Sequence, residues 1–225
     1  MPLHKVININ PSTSIFLWKI TESFEDLFDE VQLNDVNLIR LNTMKSELHQ
    51  RGFLSVRKLL AHCGYTDFDL VYDQSGKPYL KDGKHISISH SHAFSAIALS
   101  SQNIGIDLEL VKEKVLRLSP RFMDTSHLAG LPESDQMKKA TIIWGIKESV
   151  FKLKNEPGIS FIDHIFESPF RLSDKSCTAE LRFNGTVESF AIHFESLLAE
   201  PGQDTGVPEN YMIVCTLENE ILLDA

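Results

Sequence analysis

Residues Ser134–Asn155 read SDQMKKATIIWGIKESVFKLKN, and the periodicity of this stretch decides the fold class. At 100° per residue, Ile142, Ile143, Ile146, Val150 and Leu153 make one apolar side of a helix. Met137, Ala140, Trp144 and Phe151 make a second. A helix apolar on two sides is expected to be buried, and this one is expected to close at Pro157-Gly158. Glu148 projects from the middle of the second stripe, flanked by Lys147 and Lys152. Glu148 and Lys152 have the spacing of an ordinary i,i+4 ion pair. A carboxylate inside an apolar stripe also has a second reading. Burying a charge costs several kcal/mol unless a partner or a metal compensates it.

Outward from this helix the chain alternates between strands and one further long helix. Downstream, CTAELRF, SFAIHFESLL, YMIVCTL and EILLD read as strands, with Pro201–Asn210 as a polar loop. Upstream lie LVYDQSGKPYL, with turn chemistry at Ser75–Pro78, then ISIS from Ile86, FSAIALS from Phe94 and IGIDLEL from Ile104. These four are expected to be strands of one sheet. Asp35–Gly64 reads as a second long helix, with the stripe Leu41, Met44, Leu48, Gly52, Val56, Leu59 and Cys63. Arg51 and Arg57 fall off that stripe. A strand-like opening at Ser14–Ile20 precedes it. The expected class is α+β, and the recurrence of strand, long helix and strands suggests two similar halves meeting near residues 100–105.

In IGIDLEL, Asp107 and Glu109 alternate with Ile106, Leu108 and Leu110, so strand geometry sends both carboxylates to one face. That face is either the wet side of a half-buried strand or part of a site. If Glu148 meets it, three carboxylates converge, and a hard divalent cation such as Mg²⁺ is the natural neutraliser. His85, His90 and His92 invite a metal reading too, with His90 and His92 on one strand face. A zinc site needs three or four ligands, however, and no cysteine stands nearby. A histidine beside Ser89 and Ser91 suits an anion, or simply a surface.

Composition sets the outer limits. At roughly 150 residues per domain, 225 residues make one domain with half to spare or two small halves. Cys63, Cys177 and Cys215 are too few and too scattered for a disulfide framework. A net charge of -9 argues against nucleic acid as a partner. The opening MPLHKVININPSTS lacks the pattern of a signal peptide, and no apolar run is long enough to span a membrane. The expectation is a cytoplasmic protein.

GKPYL (76–80), ISISHS (86–91), IGIDLE (104–109) and WGIKESVFKL (144–153), in this order and at these separations, resemble the 4'-phosphopantetheinyl transferases of the longer, two-half surfactin type. The likeness spans roughly Met44 to Phe161. It implies an α+β pseudo-dimer of two similar halves, each a small, mostly antiparallel sheet packed with a long helix. Residues 1–103 would be the coenzyme A nucleotide side, and residues 104–225 would carry the acids and the catalytic helix. It implies a monomeric enzyme that moves 4'-phosphopantetheine from coenzyme A to a serine of an apo acyl or peptidyl carrier protein. Adenosine 3',5'-bisphosphate would be released, with Mg²⁺ at the pyrophosphate. By the same likeness Asp107, Glu109 and Glu148 are the metal-site acids, and Lys152 meets the pyrophosphate. Arg51, Lys77, Ser89 and His90 lie along the coenzyme A nucleotide, and Glu148 competes between metal ligand and base for the carrier serine. Two departures stand out. His127 occupies the place of a glutamate that many relatives carry after RF, and Gly145 that of a common serine. An acidic carrier would need local positive charge, for which Lys112, Lys114, Arg117 and Arg121 are candidates, although that run also reads as a solvated face. The rival reading is a non-catalytic binder of coenzyme A or of a carrier, which would have no need of Asp107, Glu109, Glu148 and Lys152 together.

Overall fold

The computed structural model describes residues 3–199 and 209–219. The expected EILLD strand and most of the expected loop at 201–210 lie outside these residues. The chain divides into two compact units, Met1–Ser101 and Gln102–Ala225. Both mix helices with antiparallel sheet, so the class is α+β.

In the first unit, β1 (Leu3–Asn10) and β2 (Thr13–Lys19) form a hairpin. Helix α1 (Phe24–Glu30) follows, started by a reciprocal capping box between Ser23 and Asp26. Where one long helix was expected over Asp35–Gly64, the chain forms two, α2 (Asp35–Thr43) and α3 (Glu47–His62). Met44 and Ser46 adopt extended backbone between them. The apolar stepping of Leu41, Met44 and Leu48 continues across this break and so conceals it. Leu48 is in fact exposed, while Leu41, Val56 and Leu59 are buried.

Strands β3 (Leu70–Tyr72) and β4 (Pro78–Leu80) make a small sheet of their own. β5 (His85–Ser91) and β6 (Phe94–Ser100) join the first hairpin in the order β1-β2-β6-β5. Helix α3 packs on this sheet, burying Phe53, Leu54, Val56, Leu59 and Leu60 with Trp18, Ile86, Ile97 and Leu99.

The second unit opens with β7 (Ile104–Leu110). This strand belongs to a different sheet from β5 and β6, so the one sheet expected from residues 70 to 110 is really parts of three. The reason is long-range: β7 pairs with a strand a hundred residues away in sequence, which local patterning does not reveal. After it come α4 (Lys114–Leu118), two 3₁₀ turns, α5 (Glu133–Lys154), α6 (Phe161–His164) and β8 (Ile165–Glu167). Strands β9 (Ser176–Phe183), β10 (Thr186–Ala199) and β11 (Glu209–Glu218) complete a sheet ordered β7-β11-β10-β9-β8. Helix α5 lies across it, with Ile142, Ile143, Ile146, Val150 and Leu153 buried against Phe190, Ile192, Met212 and Val214. Its other stripe packs on aromatics: the Trp144 ring is 5.1 Å from Phe122 and 5.5 Å from Phe161. The helix ends before the proline, at Asn155 in the left-handed region, a conformation asparagine tolerates well.

Candidate active site

The site is built where α5 crosses β7. Strand register pairs Gly105 with Thr216, Asp107 with Val214 and Glu109 with Met212. Residues 105, 107 and 109 therefore share the face on which the helix lies, as alternation requires. The approach is close. A Cβ on Gly105 would stand 1.9 Å from the carbonyl oxygen of Ser149, so only glycine admits the helix backbone there. A Cβ on Gly145 would stand 2.6 Å from Val214 Cγ2 and 3.7 Å from Asp107 Oδ2. Val214 thus favours glycine here, at the position where serine is common among relatives. Ser149 Oγ and Thr216 Oγ1 meet at 2.6 Å and lock the crossing.

Within this frame Asp107 is buried, 4% exposed, which removes the wet-face reading for that residue. The Lys152 ammonium donates to Asp107 Oδ1 at 2.7 Å and to the Ile106 carbonyl at 3.0 Å. Glu148, one helical turn before Lys152, is partly buried. Burial pushes its pKa up, the negative charge of Asp107 adds to the rise, and Lys152 opposes it. Asp107, Glu148 and Lys152 are therefore electrostatic neighbours. Glu109 is half-buried two residues further along the strand. Among the described residues, no group of three or more His, Cys, Asp or Glu side chains is arranged to hold a metal ion.

The other expected residues belong to the first unit. Ser89 is buried and His90 exposed on β5. The His90 ring packs over Gly52, where a Cβ would lie 3.2 Å from it, and faces His49 with ring centroids 6.0 Å apart. Arg51 donates from Nη2 to the Ile20 carbonyl at 3.5 Å. Its Nε is buried with no hydrogen-bond partner among the described residues. Lys77 sits in a turn whose amide donates to Asp73 Oδ1 at 2.9 Å. One expectation fails: His90 and His92 do not share a strand face, because β5 ends at Ser91 and His92 turns with φ 48°.

The model of the 4'-phosphopantetheinyl transferase superfamily matches residues 103–215, half of the chain, including the whole α5–β7 crossing. The chain belongs to that superfamily. It is similar to 4'-phosphopantetheinyl transferase Sfp of Bacillus subtilis (strain 168), 32% identical over 92 residues, which is 39% of this chain and 41% of the relative. It is also similar to 4'-phosphopantetheinyl transferase gsp of Aneurinibacillus migulanus, 29% identical over 83 residues, or 36% of this chain and 35% of the relative. The alignments thus span well under half the length of these surfactin-type relatives. The superfamily match contains Asp107, Glu109, Glu148 and Lys152 and ends short of Arg51, Lys77, Ser89 and His90.

For this superfamily member, sequence reasoning missed one residue of the site's surroundings. Lys147, expected to face solvent or the acids, faces neither: it is 2% exposed and hydrogen-bonds the Ile165 carbonyl and Glu167 Oε2, the latter at 2.6 Å. His127, the departure noted after RF, meets the same glutamate with Nδ1 3.0 Å from Glu167 Oε1. Glu167 ends a three-residue strand 20 positions from Lys147, and no local pattern marks it.

Proposed function

We propose that this chain transfers 4'-phosphopantetheine from coenzyme A to a serine of an apo acyl or peptidyl carrier protein. The observation that carries this reading is the Asp107–Lys152 pair at the α5–β7 crossing, with Glu148 in electrostatic range of both, inside the part of the chain that matches the superfamily. In the reaction the serine Oγ attacks the phosphorus that bears pantetheine. The bond from that phosphorus to the adenosine 3',5'-bisphosphate oxygen breaks, and the serine proton goes to a base. Glu148 is suited to take it at a carboxylate oxygen, since burial and Asp107 raise its proton affinity toward the working pH. Lys152, partly exposed beside Asp107, supplies positive charge for the transferring phosphate.

The donor set suits Mg²⁺: it consists of hard carboxylate oxygens, two of them close enough to repel. Mg²⁺ is commonly held by one or two carboxylates plus substrate phosphates rather than by an all-protein cage. Asp107, Glu148 and, beside them on the strand, Glu109 would hold it. When bound, the ion would offset the charge of the pyrophosphate.

Lys112, Lys114, Arg117 and Arg121 are all exposed just beyond β7 and supply local positive charge for an acidic carrier. Arg51, with its buried Nε, and Lys77, Ser89 and His90 are the proposed contacts of the coenzyme A nucleotide. No helix among the described residues is long and apolar enough to cross a membrane, and a monomer acting in the cytoplasm fits this reading. The test is to incubate the protein with coenzyme A, Mg²⁺ and a panel of apo-carriers, then weigh the carriers. One phosphopantetheine added per carrier, with equimolar adenosine 3',5'-bisphosphate, is the expected result. Coenzyme A binding without any adduct would favour the non-catalytic binder.

A further inference from the structure

Three consecutive residues of α5 point to three different partners. Lys147 is tied to β8 through Glu167 and the Ile165 carbonyl. Glu148, the middle residue, lies within electrostatic range of Asp107 on β7. Ser149 is tied to β11 through Thr216. Successive helix side chains are 100° apart, so fixing the first and third of such a triplet fixes the rotation of the second. The β8 tie is the unusual one, because it is an ion pair in which both side chains are nearly inaccessible, at 3% and 4% exposure. Breaking a buried pair on one side leaves a charge uncompensated, a strongly destabilising event, whereas an apolar pair of similar volume would serve stability as well. Charge at this place therefore asks for an explanation beyond packing.

We propose that Glu167 is a positioning residue: by holding the Lys147 ammonium against β8 it sets the rotation of the α5 turn that carries Glu148. The inference rests on the proposed transfer reaction for its effect on rate, but the tether itself can be read without it. Around Glu167 stand the Lys147 ammonium, the His127 ring on the outer side, and Cys177 on β9. The Cys177 thiol is pushed up to about 12 by burial and then by the charges of Glu167 and Asp174. It therefore stays neutral, and the Lys147 ammonium is the cation paired with this carboxylate, with the His127 ring at hydrogen-bond distance from its other oxygen. Glu167 is fixed by its pairing to Ala179 of β9, so the tether is anchored in the sheet rather than in a loop.

The experiment compares Glu167→Ala with Glu167→Gln, which keeps an acceptor for the Lys147 ammonium and guards against a variant that fails to fold. Amide hydrogen exchange is measured along α5 at a temperature where both remain folded. In the alanine variant, protection should fall at Glu148 and Ser149 more than at Ile142, with the glutamine variant between it and wild type. In the transfer assay the alanine variant should lose about ten- to hundredfold in kcat, as expected for a misplaced group, with KM for coenzyme A changed by less than about twofold. Glutamine should restore much of that loss. Uniform loss of protection along α5, or unchanged protection at Glu148 and Ser149, would overturn the proposal even if the chain transfers nothing. An alanine variant with wild-type kcat, or a glutamine variant no better than alanine, would overturn it as well.

Discussion

Lys152 Nζ lies 2.7 Å from Asp107 Oδ1 and 3.0 Å from the Ile106 carbonyl, so a single ammonium binds both the side chain of the strand and its backbone. Helix α5 and strand β7 are joined there by charge as well as by packing. The Asp107 side chain is 5% exposed and the Lys152 side chain 30%, which makes the carboxylate the more vulnerable partner. Lys152→Met should therefore destabilise the fold by about 1–3 kcal/mol, less than a fully buried pair because water can reach the site. Asp107→Asn in the same chain should recover most of that loss. Chemical denaturation of the two single variants and the double variant checks it, and strict additivity would remove the ion pair from the account.

Glu148 gives a prediction of opposite sign. Its pKa is raised in the folded protein, first by burial and then by Asp107. The folded state thus binds its proton more tightly than the unfolded chain does. The resulting stability is fully present below the unfolded glutamate pKa, about 4.3, and is lost as pH rises through the folded value. Glu148→Gln, which is uncharged at every pH, should melt at or above the wild-type temperature at neutral pH. That difference should shrink as the pH falls toward 4. A variant that melts much earlier at pH 7 would make Glu148 a structural ion-pair partner.

The same substitution separates the two tasks proposed for Glu148. As a metal ligand, Glu148→Gln should weaken Mg²⁺ binding measured by calorimetry. As the base, it should leave that binding intact while the transfer rate falls by about a hundredfold or more.

The close crossing of α5 on β7 predicts steric intolerance with a specific remedy. Gly145→Ala places a methyl group 2.6 Å from Val214 Cγ2, and overpacking of this kind typically costs about 1–3 kcal/mol. Val214→Ala in the same chain should relieve most of the strain. Gly105→Ala has no such remedy, because its methyl would meet the backbone carbonyl of Ser149 at 1.9 Å. Thermal melts of the three variants and the double variant decide this. A Gly105→Ala protein as stable as wild type would contradict the described crossing.

Much of this arrangement was legible in the sequence. Periodicity marked α5, the alternation in IGIDLEL placed Asp107 and Glu109 on one face, and the charge in an apolar stripe singled out Glu148. What stayed hidden was of two kinds. Breaks that preserve apolar spacing, as at Met44 between α2 and α3, leave no periodic trace. Partners joined only by long-range pairing, such as β7 with β11 or Lys147 with Glu167, have no local signal at all. Helix α1 did carry one, since Ser23 and Asp26 have the spacing of a capping box.

The nucleotide contacts proposed on the first unit are tested through His90. If His90 meets the 3'-phosphate of coenzyme A, a contact commonly worth about 1.5–3 kcal/mol, His90→Ala should weaken coenzyme A more than dephospho-coenzyme A. Isothermal titration with both ligands gives the comparison. Equal losses for the two would return His90 to a packing role over Gly52.

The most direct test of the central claim is the intact mass of an apo-carrier after incubation with coenzyme A and Mg²⁺, using wild-type protein and Asp107→Ala side by side. The variant should stay folded, because removing the carboxylate frees a partly exposed Lys152 toward water and relieves the repulsion on Glu148. The account predicts one phosphopantetheine on the carrier with wild-type protein and none with the folded variant. Equal modification by both would contradict it.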